Sequence, residues 1–384
     1  MIYFDNAAST KVDGAVLKAM TPFFDKNYAN ASSIHEMGQL AKEALEKARK
    51  VIADSINASP EEIIFTSGGT ESNNFAIKSI AFSNKEKNHI ITSKVEHDCV
   101  LNSCKWLESK GFNVTYLDVD KNGAVNPEAL RKAINKKTCL VTIMHANNEV
   151  GTINNIKELG KICKEKSVYF HSDACQSYTK VPINVKEMGI DLLTINAHKI
   201  HGPKGVGALF IKKGTKIKAW QSGGSHEFGL RAGTENVSGI IGFAKAVQIS
   251  SQKNIDYMTK LRDYAISKIV QNIPDVKLNG ATGNNRLCNN VNFSFKGIEG
   301  ESILLMLSKK RIMVSTGSAC SSTSLKASHV LLAMGLKHET AHGSIRFSFS
   351  KYNTIKEIDY LVKILKPIIA KLRAMSPLYS GDKK

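Results

Sequence analysis

Seven cysteines, an odd number, occur in the 384 residues, and no two of them form a CxxC pair. Cys99, Cys104, Cys139, Cys163, Cys175, Cys288 and Cys320 are widely scattered, which excludes a disulfide framework and a zinc ribbon. No apolar run approaches the ~18 residues of a membrane-spanning helix, so no membrane contact is expected. The opening Met1-Ile-Tyr-Phe-Asp5 lacks the basic stretch and cleavage site of a secretory leader, and a cytoplasmic address is expected from that. There is no arginine-rich cluster and no basic motif interleaved with aromatics, although 53 basic against 34 acidic residues give a net charge of +19. Spread along the chain in this way, the charge suits an acidic protein partner or a generally basic background, and no direct nucleic-acid contact is expected.

What the chain does have is the balance of a soluble globular protein, with 42% hydrophobic and 23% charged residues. Its length is enough for one large and one smaller domain, expected at 13–250 and at 1–12 with 251–384.

The stretch from Asp191 to Ile211 organises the reading. Leu192 to Ile195 is an apolar strand that stops at Asn196, and a turn carrying His198 and Lys199 follows. Gly202, Pro203, Gly205 and Gly207 then lead into a second apolar strand, the form of a β-hairpin. A lysine at the mouth of a buried sheet, beside a histidine, is biased towards the free amine, which condenses with an aldehyde. A lysine in a glycine-rich turn is more commonly a solvated charge, and Lys204 is an equally basic competitor.

The preceding chain alternates short apolar strands with helical stretches, the pattern of an α/β fold with a mainly parallel sheet, whose ligands collect at strand carboxyl ends. Ile34 to Ile56 is helical, with Leu40, Ala44, Leu45, Ala48, Val51 and Ile52 on one face, to be packed on a sheet or a second subunit. Glu62 to Thr66 is a strand, followed by Ser67-Gly-Gly-Thr-Glu-Ser-Asn-Asn74 and a helix over Phe75 to Phe82. Two glycines between strand and helix make either a tight connection or a phosphate cup, to which Thr70 and Ser67 add hydroxyls. His97 follows the strand at His89 to Thr92, where an imidazole can lie over a ring or exchange protons; Asn147 follows Cys139 to Met144, as an amide donor or a turn former. Asp173 ends the strand beginning at Ser167, placed to pair with a cationic ring nitrogen or to cap a helix, with Gln176 one turn beyond. An anion cup, an acid for a ring nitrogen and an amine for an aldehyde are together the three groups that pyridoxal 5'-phosphate (PLP) requires.

Past the glycine-rich loop Gly223 to Asn236, where Thr234 is a further phosphate candidate, a long helix from about Ser251 opens the smaller domain. There Val314-Ser-Thr-Gly-Ser-Ala-Cys-Ser-Ser-Thr-Ser324 places Cys320 among small hydroxylic residues with little area to bury, and a mobile, exposed loop with a nucleophilic thiol is expected. Gly343 to Phe349 alternates as a strand and makes Arg346 either a bidentate carboxylate clamp or the partner of a structural acid.

These motifs, in this order from Phe4-Asp-Asn-Ala-Ala-Ser-Thr10 through Glu96-His97, Asn147-Asn-Glu-Val-Gly151 and His198-Lys199 to Gly317-Ser-Ala-Cys-Ser-Ser322, resemble almost end to end the cysteine desulfurases of the NifS/IscS group. The resemblance implies a PLP-dependent transferase of aminotransferase fold type I. Its large domain would carry a mainly parallel seven-stranded sheet, and a smaller α+β domain would carry the cysteine loop. It implies that Lys199 holds PLP, His97 stacks on the ring, Asp173 meets the pyridinium nitrogen and Gln176 the phenolic oxygen. Gly69, Thr70, Asn196 and His198 fall at phosphate-site positions, and Thr234 would reach the phosphate of a neighbouring subunit in a homodimer. Asn147 and Arg346 match positions that hold the carboxylate of L-cysteine, Asn147 also lying in the cofactor set. Cys320 would take the sulfur as a persulfide, for an iron-sulfur scaffold of the NifU/IscU type; no resident metal is implied, beyond transient contact of Cys320 with a cluster. Asn196 stands where the family usually has serine, and His226 and Phe228 replace the commoner Gln and Arg. The rival readings are a selenocysteine lyase or aminotransferase on the same fold, or, in a different class, a catalytically dead scaffold or a basic nucleic-acid-binding protein.

Overall fold

The computed structural model describes residues 1–84, 86–316 and 327–379. Seven strands make the principal sheet: β1 (Ile63–Thr66), β2 (His89–Ser93), β3 (Asn113–Leu117), β4 (Thr138–Thr142), β5 (Tyr169–Asp173), β6 (Leu192–Asn196) and β7 (Gly207–Ile211). Their spatial order is β1-β7-β6-β5-β4-β2-β3. Neighbours from β3 to β6 run parallel, and only β7 runs the other way, paired antiparallel with β6 and with β1. The sheet is thus the mainly parallel one expected, with the anticipated hairpin at β6–β7.

The strands are apolar on both faces because both are covered, as parallel sheets require. Four helices do most of the covering: α1 (Glu36–Asp54), α2 (Gly69–Ser83), α3 (Asp98–Glu108) and α4 (Val237–Gln248). Ile64, Ile90, Leu140, Leu192 and Leu209 pack with Phe75 and Ile80 of α2 and Val100 and Leu107 of α3. Their alternates Ile63, Phe65, Ile91, Val141, Leu193 and Ile195 join the core of α1 and α4. On α1 the buried stripe is Ala41, Leu45, Ala48 and Ile52, so Leu40 is left 48% exposed although the periodicity put it on the core face. The reason is that Ala41, not Leu40, stands in register with Leu45 and Ala48 at helical spacing.

A second core surrounds the antiparallel sheet of Val276–Leu278, Asn290–Phe295 and Ser344–Ser348. Helices Gln252–Asn272 and Ile355–Met375 contribute Leu261, Ile269, Ile358 and Leu365 to it. The chain's first residues belong here: Ile2–Tyr3 pairs in parallel with Ile312–Met313, and the Phe4 and Phe349 rings meet edge to face at 5.2 Å. From there Asp5 to Thr10 crosses to the larger sheet, where Thr10 Oγ1 donates to the His198 carbonyl at 2.9 Å. Thr66, Ser93, Thr142, Asp173 and Asn196, all strand carboxyl ends, share one edge of that sheet. The crossing segment passes over that edge.

Candidate active site

Between β1 and α2 the backbone makes the tight approach that the Gly-Gly pair suggested. Gly68 has φ +152°, and it precedes α2 with no side-chain cap on the helix amides. The sequence reading began this helix at Phe75; the structure begins it at Gly69, because side chains of the polar stretch stabilise its first turns. Ser67 N–H donates to Glu71 Oε2 at 2.6 Å, Thr66 Oγ1 and Ser72 Oγ share a 2.7 Å bond, and Asn74 Nδ2 donates to the Thr70 carbonyl at 2.9 Å. The helix therefore brings its uncapped amides and positive dipole end to the strand edge. A Cβ on Gly69 would fall 2.5 Å from Cys175 Sγ and 3.4 Å from Asn196 Nδ2, so only glycine permits this approach. Asn196 is buried and its Oδ1 has no hydrogen-bond partner among the described residues.

Asp173, at the end of β5, is buried with both oxygens committed. Oδ1 accepts the Cys175 N–H at 2.8 Å and Oδ2 accepts from Asn73 Nδ2 at 2.6 Å. Asn73 was missed in the sequence. Its signal was available only once α2 was seen to start at Gly69, which sets Asn73 one turn inside the helix and facing the same edge.

Lys199 lies on the turn after β6. Its Nζ donates to the Ala7 carbonyl at 2.6 Å, and Gln176 Nε2 donates to the same oxygen at 2.9 Å. The amine and the amide are thus brought together, by a backbone oxygen from the far end of the chain. His198 Nδ1 lies 3.4 Å from Ser9 Oγ on the same crossing segment, and burial, with the charges of Lys199, Lys204 and Lys180, pushes its imidazole down to about 4. It is neutral at physiological pH.

His97 caps α3, its Nδ1 accepting the Cys99 N–H at 3.2 Å, which leaves the proton of the neutral ring on Nε2. Burial lowers its pKa; Asp173 opposes this and Lys199 adds to it, so one imidazole senses both the acid and the amine. The adjoining Glu96 is fully buried, accepting from Ser93 Oγ at 2.6 Å and from Met144 N–H at 3.0 Å. Burial, with Asp173 nearby, pushes its carboxyl up to about 8.

Arg346 is buried, and its fork donates to Asp5 Oδ1 at 3.0 Å and to the Asn148 carbonyl at 2.8 Å, while its Nε has no partner among the described residues. Asp5 is the acid that the sequence reading left unnamed. Asn147 shapes two loops: Nδ2 donates to the Val95 carbonyl at 2.9 Å, and Oδ1 accepts from Glu149 and Val150 N–H at 2.8 and 3.0 Å. Thr234 is exposed, at a hollow that Ser67, Gly205 and Glu227 also line. Of the two departures in the loop before it, His226 Nδ1 accepts the Gly233 N–H at 3.4 Å and Phe228, with φ +57°, lies 5.1 Å under the Arg49 guanidinium. Cys320 lies outside the described residues.

Burial also gives the site a pH dependence. His145, His171, His198 and His201 are each pushed down to about 4, all chiefly by burial. The unfolded chain takes up protons at these rings near pH 6.5, the folded chain only near 4, so their contribution to stability is lost as pH falls through that window. Glu96 acts oppositely, since it stays protonated in the folded protein between its ordinary pKa and about 8. The urea midpoint is expected to be lower at pH 5 than at pH 7, and Glu96→Gln should steepen that fall. A midpoint that is level or rising towards pH 5 in the variant would contradict the assignment.

The donor set fits PLP. An uncapped helix N-terminus meets the needs of its phosphate, and the Asn196 amide nitrogen, on the side of Gly69, is a further donor there. Asp173 is a fixed buried carboxylate for the ring nitrogen, and the amine of Lys199 shares its acceptor with Gln176.

Residues 2–361 match the model of the family described as aminotransferase class-V. The chain is 54% identical to the "Cysteine desulfurase IscS" of Dictyoglomus turgidum, over 98% of this chain and 96% of that one. Among solved structures it is similar to one titled "NIFS-LIKE PROTEIN", with a TM-score of 0.90 and 40% identity over 97% of this chain and 100% of the other. Another, titled "SspA in complex with cysteine", gives a TM-score of 0.83 and 38% identity over 92% of this chain and 100% of that one.

Proposed function

The chain belongs to the aminotransferase class-V family, and from that membership we propose that it is a PLP-dependent cysteine desulfurase, converting L-cysteine to L-alanine and passing the sulfur to one of its own cysteines. The observation that carries the reading is the meeting, at one sheet edge, of the α2 N-terminus, Asp173 and Lys199.

When bound, PLP supplies an electron sink for the carbon that carries the substrate's amino group. The chain's residues do the rest. Asp173 keeps a negative charge against the ring nitrogen, and Asn73 keeps that charge in place. The amides of Gly69 and Thr70, with Asn196 and His198, take the phosphate, and Gln176 and His97 take the ring. Arg346 holds the substrate carboxylate above the loops shaped by Asn147, and Lys199 Nζ removes and returns the Cα proton. The Cys320 thiolate attacks the substrate sulfur, so that an S–S bond forms as the C–S bond breaks. The electron pair of the C–S bond stays with carbon, which takes up a proton to become the methyl group of alanine, and Cys320 is left as a persulfide.

The active form is proposed to be a homodimer. Leu17, Phe24, Tyr28, Ile34 and Leu40 are all 48% or more exposed within one short stretch of sequence, and Phe228 is 53% exposed. A second copy covers such apolar area, and in that arrangement Thr234 serves the partner's phosphate. The chain is further proposed to divide into domains at 13–250 and at 1–12 with 251–384, the second following the core around Phe293 and Leu365. A basic surface suits an acidic sulfur acceptor, and a NifU/IscU-type iron-sulfur scaffold in the cytoplasm is the partner proposed.

Protein purified with PLP is expected to be coloured, to form alanine from cysteine in step with sulfide under a thiol reductant, and to have twice the chain mass in solution. Colourless protein that forms no alanine, or a reaction confined to selenocysteine, would refute the reading.

A further inference from the structure

Lys180 follows Gln176 by one helical turn's length of chain and returns to it. Its ammonium donates to the Gln176 carbonyl at 3.0 Å and to the Lys199 carbonyl at 3.1 Å. These are the backbone oxygens of the two residues whose side chains share Ala7 O. No carboxylate pairs with Lys180 among the described residues. The approach is held by unusual backbone: Thr179 has φ +61° and His201 has φ +67°, left-handed at residues with side chains, one of them β-branched. Thr179, Lys180, Lys199 and His201 line one narrow cavity together. Strain of this kind persists where surrounding structure requires it.

Resting on the reading of the site given above, we propose that Lys180 is a positioning residue. Its ammonium ties the turn after β5 to the turn after β6, setting Gln176 and Lys199 at one spacing, and its charge biases Lys199 towards the free amine.

The groups that face Lys180 leave it as the uncompensated charge. His198 and His201 are neutral, pushed down to about 4, while burial keeps Cys288, pushed up to about 11, and Cys175 as thiols. Lys351, which lines the same cavity, is paired with Asp13, so among the described residues Lys199 is the remaining unneutralised titratable neighbour, and each of the two lysines disfavours charge on the other. Burial brings Lys180 itself down to about 8, so its influence is present near neutral pH and fades above that value.

The test uses the full chain with Lys180→Met and Lys180→Arg, and Lys180→Gln should the methionine variant not fold. In cofactor-free protein, the pH dependence of Lys199 labelling by trinitrobenzenesulfonate is followed on its peptide by mass spectrometry. Loss of the charge should raise the labelling midpoint by about half a pH unit or more, and arginine should restore it. With PLP bound, kcat for alanine formation should fall about tenfold in Lys180→Met and partly recover in Lys180→Arg. A labelling midpoint unchanged in Lys180→Met, or unrestored by arginine, overturns the proposal. Because labelling needs neither cofactor nor substrate, that failure is distinct from failure of the desulfurase reading, which wild-type protein inactive on cysteine would show.

Discussion

Cys320→Ser is expected to abolish sulfide release from L-cysteine, by about a thousandfold or more, while leaving the visible absorbance of the PLP-loaded protein intact. Sulfur transfer needs a thiolate, and the six described cysteines are held away from that form. Burial pushes Cys99 and Cys104 up to about 12 and Cys139 and Cys288 up to about 11, and it raises Cys163 and Cys175 further. Cys99 and Cys175 lie beside Asp173, whose charge adds to the effect. Ser315 pairs with Arg346 through backbone bonds of 2.7 and 3.2 Å, so a described residue five positions before Cys320 is already beside the proposed carboxylate clamp. Five residues of chain span at most about 18 Å. On the other side, Ser328 Oγ donates to Glu149, and His329 Nε2 bonds the carbonyl of Glu96, the residue before His97, at 2.9 Å. Described residues on both sides of Cys320 in sequence thus lie at the site. Cysteine-dependent alanine formation at the wild-type rate in Cys320→Ser would refute the assignment, and an equal loss in Cys99→Ala would redirect it.

Asp173→Asn should lower kcat/KM for cysteine by about a hundredfold or more, with thermal stability changed by no more than about 1 kcal/mol. The substitution removes charge and little else. The new amide oxygen can still accept the Cys175 N–H, now at 2.8 Å from Oδ1. Its NH2 group would confront Asn73 Nδ2, but Asn73 Oδ1 has no partner among the described residues, so that amide can turn over and accept instead. The turn gives up the weak bond from Asn73 Nδ2 to Cys99 Sγ at 3.1 Å, and the main loss is the counter-charge of the ring nitrogen. Asp173→Ala would leave the Cys175 N–H and Asn73 without their acceptor, and it should cost stability as well. Parallel assays of alanine formation and thermal unfolding separate the two effects; activity within tenfold of wild type in Asp173→Asn would show that the carboxylate's charge is dispensable.

Much of the site was legible because its chemistry is punctuated by local signals. Apolar runs that end abruptly in Asn196, Asp173 and Ser93 mark strand ends, and strand ends of a parallel sheet fall on one edge whatever the loops do. That logic put Lys199, Asp173, His97 and the glycine pair at one sheet edge, where the structure places them. It could not find Asn73, since propensity reads Ser67 to Asn74 as a turn, and only the bonds of Glu71, Ser72 and Asn74 make helix of it. Nor could it find Asp5 as the partner of Arg346, a pairing across 341 residues of sequence.

The amino-acid sequence by itself determined the fold class, the element order and the side-chain types that stand at the strand ends, among them Asp173, Lys199 and the Gly68–Gly69 pair. Each of these depends on neighbours within a dozen residues, through hydrophobic period, turn chemistry and side-chain type. Tertiary structure alone decided which oxygen Lys199 and Gln176 share, which acid meets Arg346, and that Lys180 bridges two turns. Those contacts join residues distant along the chain, and their distances are set by how the two cores pack around the Asp5–Thr10 crossing, which no local pattern encodes.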